Sequence, residues 1–157
     1  MSKVSGVIIA FLVLIILGGA YKFIIKGSTI EGSDGRVVIL LNAKERHYIL
    51  KEMRGLLGHM QQLITAISND DMDKVIKIST TLVEDSGGKT PTRIITKMPL
   101  AFKQLSLSIH NDFKTLQENA IKNRDGKEAL AQVSKIMTNC LACHSTHSLM
   151  PKGSNAQ

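Results

Sequence analysis

Five consecutive residues near the C-terminus, Cys140-Leu141-Ala142-Cys143-His144, carry the clearest chemistry in the sequence. Residues three and four apart on a helix share one face. Two thiols at that spacing can each form a thioether to one vinyl group of a single porphyrin. The histidine that follows can reach the iron from the same side. The run thus supplies two covalent tethers and one axial ligand for one haem c. Cys140 and Cys143 are the only cysteines in the chain.

Three other uses of these residues compete. A disulfide between Cys140 and Cys143 suits an exported protein, but a helical pair three apart has poor geometry and closes a trivial loop. A thioredoxin-like redox pair wants its thiolate at a helix N-terminus, whereas this pair falls near the end of a helical stretch. Zinc held by Cys140, Cys143, His144 and His147 would need four ligands on two turns of one helix to surround a tetrahedral ion.

Four helix-like stretches are available to position the motif. The first opens on Asn42 with Glu45 three residues on, a capping-box pattern. It continues with Leu50, Met53, Leu57, Met60, Ile64 and Ile67 at alternating spacings of 3 and 4. The second begins near Asn69, with Asp70, Asp71 and Asp73 where a helix dipole favours anions. It carries Met72, Val75, Ile76, Leu82 and Val83 and stops at Gly87-Gly88. The third starts around Pro99 and bears Phe102, Leu105, Ile109, Phe113, Leu116 and Ala120. The fourth opens on Asp125 and Glu128 and carries Leu130, Val133, Ile136, Met137, Cys140 and His144. Four amphipathic helices with short to moderate loops predict an all-α, antiparallel four-helix bundle.

Ahead of them, Val4–Ile25 is apolar apart from Ser5, Lys22 and the Tyr21 hydroxyl. As a helix its 22 residues span about 33 Å, close to the hydrocarbon thickness of a bilayer. A cleaved signal peptide is the alternative, with Lys3 as n-region and Gly18-Gly19-Ala20 as cleavage site. The apolar character resumes as Phe23-Ile24-Ile25, which a signal peptide does not need. Residues 1–26 are therefore expected to be a transmembrane anchor or an uncleaved signal segment. Residues 27–41 are expected to be a linker, and 42–157 the haem domain. Within the linker, Gly27–Arg36 reads as flexible, and Val37–Leu41 is too short to assign.

The formal charge of +7 overstates the basicity of the domain. Lys3, Lys22 and Lys26 lie in or beside the apolar segment, and all 13 acidic residues follow it, leaving 17 − 13 = +4. A weakly basic surface suits acidic protein partners. No dense Lys/Arg cluster interleaves with aromatics, so nucleic acid is not expected. No paired carboxylates, Ser/His/Asp set or phosphate loop stands out, and enzyme activity is not expected.

A haem motif at the C-terminal end of a bundle resembles the class II c-type cytochromes, cytochrome c-prime and the cytochrome c-556 type. Lys44-Glu45-Arg46, then Leu50, Met53, Gly58 and Met60, is similar to that family's first helix. The resemblance covers roughly Asn42 to His147. It implies thioethers at Cys140 and Cys143, His144 as proximal ligand, Arg46 near a propionate and Leu50 at the distal position. It also implies a periplasmic haem domain and allows a homodimer. The family often follows the motif with a Tyr-Arg pair, where this chain has Thr146-His147.

The ligand opposite His144 divides the functions. An apolar Leu50 facing the iron leaves it open to nitric oxide or carbon monoxide. Met53, one turn on, would instead supply a sixth ligand and favour electron transfer, although methionine on such a stripe also serves as core. His47 is a lesser candidate for that position. His59 and His110 lie off or at the edge of their stripes, and His147 falls on the side of His144. The readings that follow are an anchored single-electron shuttle working with redox partner proteins, a gas-binding protein, or a haem-carrying subunit of a larger membrane complex.

Overall fold

The computed structural model describes residues 3–86 and 89–153. The chain begins with helix α1 (Lys3–Ala20), which continues as a π-helical stretch over Tyr21–Lys26. Its side chains from Val4 to Leu17 are exposed, and no residue from Val4 to Lys26 is buried. A helix that is apolar all round and unburied is long and apolar enough to cross a membrane.

The stretch expected to be a linker is instead folded. Strand β1 (Thr29–Glu31) pairs antiparallel with β2 (Val37–Leu41), and Glu31 stands opposite Val37. The loop between them is closed by Gly32 N–H donating to the Arg36 carbonyl at 2.8 Å, with Gly35 at φ 78°. A third strand, β3 (His147–Pro151), lies parallel to β2 with Val37 opposite His147 and Leu41 opposite Pro151. The fold is thus mostly helical but not all-α. Val38, Ile39 and Leu41 are buried, and their apolar area is what holds residues 37–41 to the domain.

The helices follow as α2 (Ala43–Ser68), α3 (Met72–Ser86), a short α4 (Thr92–Ile95), α5 (Leu100–Asn123) and α6 (Gly126–Thr146). The cap of α2 is a full capping box. Glu45 N–H donates to the Asn42 side chain and Asn42 N–H to the Glu45 carboxylate, both at 2.9 Å. Asp125 caps α6 by accepting from the N–H groups of Lys127 and Glu128. Glu128 does not reach back to it. Its carboxylate takes the Asn119 and Asn123 amides, both at 2.8 Å, and so ties α6 to α5. The expected stop of α3 at Gly87-Gly88 lies outside the described residues.

Helix α5 packs on α3 and α6, and α2 packs on the same two helices. The core between them includes Met60, Leu63, Val75, Leu82, Phe113, Leu116, Val133 and Ile136. The predicted stripe of α5 holds, but those of α2 and α6 are rotated. On α2 the buried apolar residues are Ile49, Met60, Leu63 and Ala66, whereas Leu57 is 69% exposed and Ile64 is exposed as well. On α6, Leu130 and Met137 are exposed. These helices carry more apolar residues than one face can bury.

A second core lies at the sheet end, built from Ile39, Leu41, Ile49, Ile94, Met98, Phe102 and Cys143. One buried carboxylate stands beside it. Glu45 accepts from the Lys97 ammonium at 2.6 Å. Burial pushes its carboxyl upward, but the Lys97 ammonium and the Asn42 N–H outweigh this and hold it below the usual range.

Candidate haem site

Helix α6 delivers the motif to the sheet end. Its last turns contain Cys140, Cys143 and His144, and the helix ends at Thr146. Cys140 packs against the interhelical core while Cys143 belongs to the sheet-end core. The motif therefore sits where the two cores meet. Helices α2 and α6 run antiparallel. A Cβ on Gly126, at the start of α6, would lie 3.8 Å from Ile67 near the end of α2. At the other end Arg46 Nε donates to the Leu149 carbonyl at 3.2 Å, just past the end of α6.

That crossing forms a cleft of about 200 Å³ lined by Arg36, Arg46, Leu50, Met53, Phe102, Cys143, His144, His147, Ser148 and Leu149. Five of the six residues singled out from the sequence share this cleft: Arg46, Leu50, Met53, Cys143 and His144. The sixth, Cys140, lies one turn before His144 on α6 and is half-buried. His144 is exposed, and Leu50 and Met53 are half-buried across from it. His47 is exposed and does not line the cleft.

Both thiols are free. Burial pushes the Cys140 thiol up, and burial with the neighbouring Cys140 pushes Cys143 up to about 11. A redox pair built to attack disulfides needs the opposite shift, toward thiolate at neutral pH. Among the described residues, no three His, Cys, Asp or Glu side chains converge to hold a metal ion. The zinc arrangement of Cys140, Cys143, His144 and His147 accordingly does not form. One physical reason is that α6 ends at Thr146, so His147 leaves the helix and enters β3.

Arg36 was not foreseen as a contributor, and His147, placed from the sequence on the side of His144, takes up its position from β3. Arg36 stands at the cleft with its Nη1 donating to the His144 carbonyl at 3.3 Å, and its Nη2 pairs with Asp34 at 2.6 Å. It lay in the supposed linker, and only the parallel pairing of β2 with β3 brings it here. His147 is buried, stacks edge-on against Phe102 with ring centres 5.5 Å apart, and has Nδ1 2.8 Å from the Thr146 hydroxyl. Burial lowers its pKa and favours the neutral ring. Its side chain also borders an open groove of about 660 Å³ between α5 and α6, lined by Ala101, Gln104, Leu105 and Ala142.

A covalently held haem asks for two thiols near one apolar wall, an imidazole beside them, and cations for two propionates. The cleft has the Cys143 thiol and the His144 imidazole of α6, apolar Leu50, Met53, Phe102 and Leu149, and the guanidinium groups of Arg36 and Arg46, while the Cys140 thiol lies one turn back on α6 against the interhelical core. Exposed Leu57, Met137 and Leu141 extend the apolar surface beyond it, on the sides of α2 and α6 that carry Leu50 and His144. The donor set and the lining fit the group. Comparison with protein-family models, with curated proteins and with solved structures finds no match to this chain.

Proposed function

We propose that this chain is a membrane-anchored c-type cytochrome that passes single electrons through one haem c. In this reading Cys140 and Cys143 hold the group by thioethers and His144 is its axial ligand. The helices form an antiparallel four-helix bundle of the class II kind, and the domain stands on the periplasmic side. The observation that carries the reading is the cleft. Residues from α2, predicted to face a haem, line it together with Cys143 and His144 from α6.

A bound haem iron supplies reversible one-electron chemistry whose potential depends on its axial ligands and on the polarity around it. The chain's own residues set those conditions. Arg36 and Arg46 offer positive charge where the propionates would need it. Leu50, Phe102 and Leu149 keep the cleft apolar. Met53 lies on the wall opposite His144 and offers a thioether sulfur. His147, held toward its neutral form by burial, lines the same cleft and packs on Phe102.

The apolar helix supports an anchor over a signal. The last residues of the apolar run are tied to the domain: Lys103 Nζ donates to the Phe23 and Ile24 carbonyls at 3.0 and 3.2 Å. Cleavage after Ala20 would leave these residues in place, so the support for an anchor is the apolar span itself, which continues past that site to Lys26.

Leu50 in the same cleft supports a second reading, an open distal side that binds nitric oxide or carbon monoxide. The optical spectrum of the ferric protein separates the two. A low-spin spectrum with the weak far-red band of methionine sulfur on iron favours electron transfer. A purely high-spin spectrum that shifts on adding carbon monoxide to the ferrous protein favours gas binding. A spectrum with no haem absorption would refute both.

A further inference from the structure

The junction between the apolar helix and the domain is a clamp rather than a tether. Gly27 follows the helix directly, is buried, and has φ 66°. A Cβ there would collide with the Lys97 carbonyl. Ser28 N–H donates to that same carbonyl at 2.7 Å, and Leu40 N–H donates to the Ser28 carbonyl at 2.8 Å. On the helix side, the Lys103 ammonium takes the Phe23 and Ile24 carbonyls. A cation on the last carbonyls of a helix meets the negative end of its dipole. The helix is therefore fastened to β2, to α5 and to the segment between α4 and α5.

A collar surrounds this junction. Lys22, Lys26 and Arg93 are exposed, and Lys97 and Lys103 are half-buried. Exposed Ile30 lies three residues after Gly27, and exposed Ile95 two residues before Lys97. The acidic residues near it are Glu31, which is exposed, and Glu45, which is buried and bound to Lys97. Basic groups with isolated apolar side chains, at the point where an apolar helix leaves the hydrocarbon, match the chemistry of anionic headgroups.

We propose that the sheet end of the domain rests on an anionic phospholipid surface, held there by the Gly27 clamp and the Lys22/Lys26/Arg93 collar with Ile30 and Ile95. The candidate haem cleft shares this sheet through Ser148 and Leu149, with Arg36 just before β2, so it opens near the membrane surface instead of swinging free. The inference rests on the anchor reading.

The test uses the full chain in lipid nanodiscs, with a photo-crosslinking benzoylphenylalanine at position 30 or 95. A third placement, at position 123 at the far end of α5, is the control. Lipid adducts are read by mass spectrometry in phosphatidylglycerol-containing and pure phosphatidylcholine discs. A second variant inserts ten Gly/Ser residues after Lys26, a flexible span of about 17 Å. Adducts are expected at 30 and 95 but not at 123, falling several-fold without phosphatidylglycerol and several-fold with the insertion. Absence of adducts at 30 and 95, equal yield at 123, or indifference to anionic lipid or to the insertion would overturn the docking. A mature chain that lacks residues 1–20 by mass would instead sink the anchor reading itself.

Discussion

Replacing Ile39 by Ala tests whether residues 37–41 belong to the folded domain. Ile39 is fully buried in the middle strand and packs in the core that contains Cys143. Truncation removes three carbons, worth about 2.4 kcal/mol at about 0.8 kcal/mol per buried methylene. The cavity left behind adds to this, giving a loss of about 3–4 kcal/mol. For a domain of this size that lowers Tm by roughly 10–15 °C. The assay is thermal denaturation of the full chain in detergent, followed by far-ultraviolet circular dichroism. Ile30→Ala is the control, because Ile30 lies on the edge strand and is 38% exposed, and its loss should stay under about 0.5 kcal/mol. A loss below about 1 kcal/mol for Ile39→Ala, or equal losses for the two variants, would refute the reasoning and return residues 37–41 to a linker.

Further predictions concern the polar groups and the cleft. Glu45→Gln removes the buried charge that accepts from Lys97, and urea titration at neutral pH should show a loss of about 1–3 kcal/mol. The Glu45 carboxyl is held low in the folded state, so its contribution is present above its unfolded value near 4.3 and disappears as pH falls through the folded value. The difference between wild type and Glu45→Gln should therefore vanish in acid. The pKa of His147 is lowered by burial, so the folded state resists its protonation. Stability from this residue is complete above about pH 6.5 and declines as pH falls below it, and His147→Gln should flatten that decline in a pH series of melts. Met53→Leu should convert a low-spin ferric spectrum to high spin with little change in helix content; an unchanged spectrum would remove Met53 as a ligand. Cys140→Ala should leave a haem held by one thioether, shown by a shifted reduced spectrum in alkaline pyridine; an unshifted spectrum would contradict attachment at Cys140.

The helices were legible because their signals are local. Asn42 with Glu45, Asp125 at its cap and Pro99 at a helix start all act within a turn, and the structure places each where the spacing indicated. Most of the cleft was legible for the same reason, since Arg46, Leu50 and Met53 follow one helical face and Cys143 and His144 another. The sheet was not. Strand β2 finds β3 more than a hundred residues later (147 − 37 = 110), and a five-residue apolar run says nothing about a partner so distant. Arg36 was missed with it, and His147 was expected on a continuing helix, because the places of both in the cleft depend on that pairing. The rotated stripes of α2 and α6 have a different origin. Leu57, Ile64, Leu130 and Met137 satisfy helical periodicity as well as the buried residues do, and only packing decides which face turns inward.

The central claim is covalent attachment at the end of α6, and the most direct measurement is the intact mass of the protein purified from a host that matures c-type cytochromes. The account predicts a denatured chain heavier by one haem, with the added mass on the peptide that contains Cys140 and Cys143. A chain of unmodified mass, or one whose haem is lost entirely to acid-acetone extraction, would contradict it.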